Sequence, residues 1–167
     1  LTHTPPCHTD LLELYCGVGN FTLPLAHRFR RVLATELSKR ATAAAAHNAT
    51  ANHIGNLELA RLSAAEMSQA MAGDRPFRRL SALKEPLSRF EFETLLVDPP
   101  RAGLDSDTLG LARGFARILY ISCNPKSLIE NLAELCETHS IEALAFFDQF
   151  PYTEHLESGV ILKRRLI

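Results

Sequence analysis

The sequence predicts an α/β fold, a doubly wound domain on a seven-stranded, mostly parallel sheet, and three observations lead there. Short apolar runs alternate with longer helical patterns along the 167 residues. The runs are continuously hydrophobic rather than alternating, as strands covered on both faces are. The segments between most of them are long enough for crossover helices, which right-handed connections place in outer layers.

The elements follow in order. Candidate strands are Leu11–Tyr15, Arg31–Thr35, Leu57–Ala60, Thr94–Val97, Arg117–Ile121, Ala143–Phe147 and Gly159–Lys163. Candidate helices are Phe21–Phe29, Lys39–His53, Ala64–Met71, Ser106–Gly114 and Lys126–His139. The second of these is rich in alanine, the strongest helix former. Gly73–Glu93, with Pro76, Pro86 and several arginines, reads as a long connection. Between the last two strands, Asp148–Ser158 is too short for a crossover helix and implies a reversal, hence one antiparallel strand near the C-terminus.

With 46% hydrophobic residues the chain can bury one full core, expected over residues 10–167 after a tail at 1–9. The formal charge of −1 does not advertise a nucleic-acid partner for the chain as a whole, so any such partner must meet a local patch. Four scattered cysteines without a C-x-x-C pair suggest neither zinc nor a secreted disulfide framework. The expectation is a reduced, cytoplasmic, metal-free monomer. No apolar run approaches the roughly 20 residues of a spanning helix, so no membrane role is expected.

Ligands of open α/β sheets bind beyond the carboxyl ends of the strands. After the first strand, Gly17 and Gly19 in Tyr15-Cys16-Gly17-Val18-Gly19-Asn20 permit a tight turn. Two glycines alone suit an ordinary strand-to-helix turn. Glu36, ending the second strand, adds an acceptor for both hydroxyls of a ribose. Thr22 stands where a dinucleotide fingerprint would have its third glycine, so the pattern favours a mononucleoside-like cofactor such as S-adenosyl-L-methionine over NAD. The fourth strand ends in Asp98-Pro99-Pro100-Arg101, where two prolines without N–H groups form a rigid lip for a flat base. An aromatic residue at 101 would indicate methylation of an exocyclic amine. Arg101 leaves another chemistry open.

Cys123 follows the fifth strand, with Asn124 as N-cap and Pro125 as first residue of the next helix. A helix N-terminus favours a thiolate, which makes Cys123 the candidate nucleophile. Cys16 lies inside the glycine turn, where a structural role is expected. Cys7 falls in the tail and Cys136 in a helix interior.

Leu12–Phe21, Asp98–Leu104, Ser122-Cys123-Asn124-Pro125 and Asp148–Thr153 followed by His155-Leu156-Glu157 together resemble the RNA uracil-5-methyltransferases. The closest likeness is to the bacterial tRNA type that makes 5-methyluridine in the T-loop. The resemblance implies a Rossmann-like class I methyltransferase domain using S-adenosyl-L-methionine, with tRNA as partner. It implies Cys123 as nucleophile and Glu157 as base. Tyr15, Asn20, Glu36 and Asp98, beside Gly17 and Gly19, would contact the cofactor; Pro99, Pro100 and Arg101 would meet the flipped target uridine. The family's N-terminal RNA-binding portion has no counterpart in these residues. The ribosomal-RNA enzymes of the same chemistry and a non-catalytic cofactor-binding module are the alternatives. Arg75, Arg78, Arg79 and Lys163–Arg165 are further candidates for phosphate contacts.

Overall fold

The first strand, β1 (Asp10–Leu14), is buried at every position, three leucines together with Asp10 and Glu13. This computed structural model describes residues 8–149, 151–153 and 156–165. The motif positions Phe150, Glu154 and His155, and Cys7 of the expected tail, lie outside them. The chain divides into two compact units, Leu1–Glu93 and Thr94–Ile167.

In the first unit β1 is followed by α1 (Thr22–Ala26), β2 (Val32–Thr35), α2 (Lys39–Ala51), β3 (Leu57–Ala60) and α3 (Ala64–Ala72). β2 pairs in parallel with both neighbours, Leu11 opposite Val32 and Val32 opposite Leu57. The parallel arrangement brings the carboxyl ends of all three strands to one edge. The start of β1 is fixed by Asp10, whose side chain is fully buried. Its carboxylate accepts from Arg30 Nε and Nη2 and from Arg31 Nη2, each at 2.9 Å, and from the Glu91 N–H at 2.8 Å. Burial alone would raise this carboxyl, but the arginine and backbone hydrogen bonds outweigh it and hold its pKa at about 2. α3 opens with a capping box between Ser63 and Glu66. The connection after Gly73 holds only two short 3-10 turns, Arg78–Ala82 and Leu87–Arg89, before the next strand.

The second unit runs β4 (Phe92–Val97), α4 (Ser106–Ala112), β5 (Arg117–Ser122), α5 (Pro125–Leu135), β6 (His139–Phe147) and β7 (Glu157–Arg164). Within it the strand order is β4-β5-β7-β6. β4 and β5 are parallel, whereas β7 runs against both β5 and β6. That is the single reversed strand the short Asp148–Ser158 connection demanded. Seven strands are present among the described residues, and antiparallel pairing is confined to β7.

Several boundaries differ from those expected, for identifiable reasons. β1 stops at Leu14 because Tyr15 adopts φ 60°, outside the strand region. α1 is a short helix whose end tightens into bonds from Arg28 N to Leu25 O and Phe29 N to Ala26 O. α5 ends before His139, so Cys136 is its C-cap rather than an interior residue. His139 instead begins β6, buried, with its ring nitrogens bonded to Thr138 Oγ1 at 2.8 Å and Phe115 O at 2.9 Å. A register shift between Ile141 and Ala143 interrupts the strand's alternation and hides its first half in the sequence.

Candidate active site

The glycine turn is built by the end of β1. Tyr15 leaves the strand with φ 60°, a left-handed conformation that costs an aromatic residue energy and recurs at ligand-contacting loops. Gly17 and Gly19 follow at φ 56° and 92°, and the Gly19 N–H closes the turn onto Cys16 O at 2.9 Å. A Cβ on Gly17 would meet no atom within 4 Å, so the backbone there borders open space. Glu36, just past β2, reaches back: its Oε2 accepts from Gly17 N at 3.1 Å and its Oε1 from Ser38 N at 2.7 Å. Each oxygen keeps a second lone pair for a further donor. Asn48 of α2 donates to Val18 O at 3.0 Å and ties the turn to that helix. Asn20 is exposed at the end of the turn.

Cys16 is buried in this turn. Burial, with Glu13 and Glu36 nearby, pushes its thiol up to about 12. It stays protonated at neutral pH, in keeping with a structural role.

In the second unit, three elements deliver the remaining candidates to one edge. β4 and β5 are parallel, so their carboxyl ends coincide, and β7 starts where β5 ends. Asp98 follows β4, half-buried. Burial first, and the charge of Glu157 second, raise its pKa to about 6. Pro99 is buried and Pro100 exposed, and the Gly103 N–H closes a turn onto Pro100 O at 2.8 Å. Cys123 sits at the bend after β5, half-buried and unpaired with any other cysteine. Asn124 caps α5, its Oδ1 accepting from Lys126 N at 3.2 Å, and Pro125 is the first helical residue. The antiparallel register pairs Ser122 with Ser158. Cys123 follows the one and Glu157 precedes the other, at the end of that pairing.

A profile of tRNA (Uracil-5-)-methyltransferase matches residues 2–165. The chain belongs to that family. A tRNA/tmRNA (uracil-C(5))-methyltransferase of Pseudomonas entomophila (strain L48) is 60% identical over 156 residues, which are 93% of this chain and 43% of the relative. One from Neisseria meningitidis serogroup B is 55% identical over 159 residues, 95% of this chain and 44% of the relative. The chain thus spans under half the length of these uracil-5-methyltransferase relatives. Among solved structures, the Pyrococcus abyssi tRNA (uracil-54, C5)-methyltransferase in complex with S-adenosyl-L-homocysteine matches with TM-score 0.71 and 27% identity, covering 94% of this chain and 35% of the other. An rRNA methylase from Streptococcus thermophilus matches with TM-score 0.68 and 12% identity, over 97% of this chain and 90% of the other, a likeness of fold alone. The fold is that of the Rossmann-like class I methyltransferases, as the sequence predicted.

Each unit gathers its own candidates. Tyr15, Gly17, Gly19, Asn20 and Glu36 share the edge beyond β1 and β2, and Asp98, Pro99, Pro100, Arg101, Cys123 and Glu157 share the edge beyond β4 and β5. The basic clusters are less available than their sequence suggested. Arg75 stacks 4.5 Å over the Phe77 ring and Arg79 pairs with Glu66 at 3.3 Å. Lys163 pairs with Glu142 at 3.7 Å, while Arg164 and Arg165 donate to Gly114 O and His139 O. Sequence reasoning missed two roles. Asn124 was legible as a cap, but its Nδ2 also donates to Arg101 O at 2.7 Å. Asn131, a buried polar residue on the apolar face of α5, was the one signal available for a second contact.

Among the described residues, no helix is long and apolar enough to cross a membrane, and no group of three or more His, Cys, Asp or Glu side chains is arranged to hold a metal.

Proposed function

We propose that this chain carries the catalytic part of a methyltransferase that converts a T-loop uridine of tRNA to 5-methyluridine. The observation that supports the reading most is the Ser122–Ser158 pair at the end of the β5–β7 ladder, flanked in sequence by Cys123 and Glu157, with the charge of Glu157 felt at Asp98. A nucleophile and a carboxylate base are the two groups this chemistry needs.

C5 of uracil is too weak a nucleophile to take a methyl group unaided. Addition of the Cys123 thiolate to C6 forms the S–C6 bond and moves the ring's π electrons into an enolate with carbanion character at C5. C5 then accepts the methyl and for a moment bears both methyl and hydrogen. Glu157 removes that proton, the electron pair re-forms the C5–C6 double bond, and the S–C6 bond breaks to release Cys123. The flipped base is held by the lip of Pro99 and Pro100, with Arg101 offering its guanidinium to phosphate or to the uracil carbonyls.

S-adenosyl-L-methionine supplies a methyl group on a sulfonium, an electrophile matched to the C5 carbanion. The residues fit such a group: Glu36 retains lone pairs for ribose hydroxyls, and open space borders Gly17. Tyr15, Gly19 and Asn20 complete the proposed cofactor contacts of the first unit.

The test is methyl transfer by the whole enzyme from labelled S-adenosyl-L-methionine to separate tRNA and ribosomal-RNA transcripts. Label at C5 of a T-loop uridine is the expected result. Label in ribosomal RNA alone would replace the substrate, and label in neither would reduce the chain to a cofactor-binding module.

A further inference from the structure

Asn131 lies on α5 two turns beyond the Asn124 cap and is buried to 7% exposure on a helix face otherwise lined by Leu128 and Leu135. A polar amide there must be fully hydrogen-bonded to be tolerated. Its partners are specific. Oδ1 accepts from Leu104 N at 2.8 Å and from Tyr120 OH at 2.7 Å, and Nδ2 donates to Leu104 O at 3.3 Å. The amide thus binds both backbone groups of Leu104, as a neighbouring strand would.

Leu104 ends the turn that follows Asp98-Pro99-Pro100. Gly103, at φ 80°, brings that turn so close to α5 that a Cβ there would lie 2.6 Å from Asn131 Oδ1 and 3.1 Å from Ser127 Cβ. At the other end of the same turn, Asn124 Nδ2 holds Arg101 O at 2.7 Å. Two asparagines on one helix face therefore clamp the turn at both ends. That helix begins two residues after Cys123, with Asn124 as its cap.

We infer that Asn131 is a positioning residue for the C6 addition, fixing the Pro99–Arg101 lip relative to the Cys123 sulfur; this rests on the function proposed above. Attack on C6 needs sulfur and carbon near contact distance and aligned, and a displacement of about 1 Å costs on the order of 100-fold in rate. Without Asn131, both backbone groups of Leu104 lose their hydrogen bonds to the amide, leaving the bond from Asn124 to Arg101 O at the other end of the turn. The thiol itself is untouched, because Asn131 makes no contact with Cys123 among the hydrogen bonds of the described residues.

The experiment uses the whole enzyme and tRNA carrying 5-fluorouridine at the target position. With S-adenosyl-L-methionine present, methyl transfer leaves C5 bearing methyl and fluorine with no proton to remove, so the S–C6 bond is not released and the rate at which the Cys123 adduct accumulates can be read on denaturing gels. Alkylation of Cys123 by iodoacetamide, mapped by mass spectrometry, reports intrinsic thiol reactivity, and circular dichroism gives the folded fraction. Asn131→Ala is expected to slow adduct formation roughly 10- to 100-fold per folded molecule while alkylation keeps the parent rate. Gly103→Ala, which pushes the turn off the same clamp from the other side, should give the same signature and decides the matter if Asn131→Ala does not fold. The double variant should lose less than the product of the two, because the oxygen that the new methyl meets is gone. Parental adduct rates in the single variants, or alkylation falling in step with adduct formation, would overturn the inference and leave Cys123 as nucleophile. No adduct with the parent enzyme would overturn the nucleophile assignment and this inference with it.

Discussion

Ser122 and Ser158 form the last pair of the β5–β7 ladder, with Cys123 following the one and Glu157 preceding the other. The strand carrying Glu157 runs opposite to the strand that delivers Cys123, so its first residue, not its last, meets the thiol's edge. A reversed last strand therefore has a chemical consequence: it places a carboxylate where parallel strands present only their carboxyl ends.

The two groups act at different steps, and their variants should differ. In the whole enzyme, Cys123→Ala should abolish methyl transfer, since C5 never becomes nucleophilic without addition at C6. Glu157→Gln should still add and methylate but fail to remove the C5 proton, trapping the protein on methylated RNA. Denaturing electrophoresis with methyl-labelled cofactor should show a retarded, labelled band for Glu157→Gln and none for Cys123→Ala. Normal turnover by Glu157→Gln would transfer the base role to another group such as Asp98.

Glu36→Ala should weaken S-adenosyl-L-methionine binding by about 1–3 kcal/mol. The loss combines the ribose hydrogen bonds with release of Gly17 N and Ser38 N, which the carboxylate holds at 3.1 and 2.7 Å. Isothermal titration calorimetry measures it directly; an unchanged affinity would remove Glu36 from the site.

Asp98 gives a pH signature of defined sign. Its pKa is about 6 in the folded chain against an ordinary value of 3.8, so between these values the folded state binds more protons than the unfolded. Stability through this group falls as pH rises through that window, and the penalty is complete above about pH 6. Asp98→Asn, which has no charge to bury, should therefore gain most in melting temperature over the parent near pH 7, with the gain shrinking toward pH 4. Thermal melts across pH 4–8 test this, and a pH-independent difference would contradict it.

Asp10 has the opposite sign. Its pKa of about 2 lies below the ordinary 3.8, so its contribution is present above about pH 4 and is lost as pH falls through 2. Asp10→Ala should cost roughly 3 kcal/mol at neutral pH, the lower end for breaking a buried pair because Arg30 keeps 39% exposure. Denaturant unfolding at pH 7 and near pH 2 should show the difference between parent and variant collapsing at the lower pH.

Much of this protein was legible in its sequence because the determinants are local. Continuous apolar runs fixed the strands, Asn124-Pro125 marked the start of α5, and Gly17 and Gly19 required the turn they form. The short Asp148–Ser158 connection foretold the reversed strand. Tertiary structure decided what depends on register and on distant side chains. The start of β6 at His139 was hidden, because its alternation breaks at a bulge and His139 is fixed by Phe115, far away in sequence. The pairing of Ser122 with Ser158, next to Cys123 and Glu157, follows from a ladder register that no single segment encodes. The raised Asp98 pKa needs a buried site and a neighbour from another strand, and the Asn131 clamp needs Gly103 pressed against α5. Local preference chooses elements residue by residue, whereas packing chooses which of their ends and faces meet, and only those meetings set distances, burial and charge.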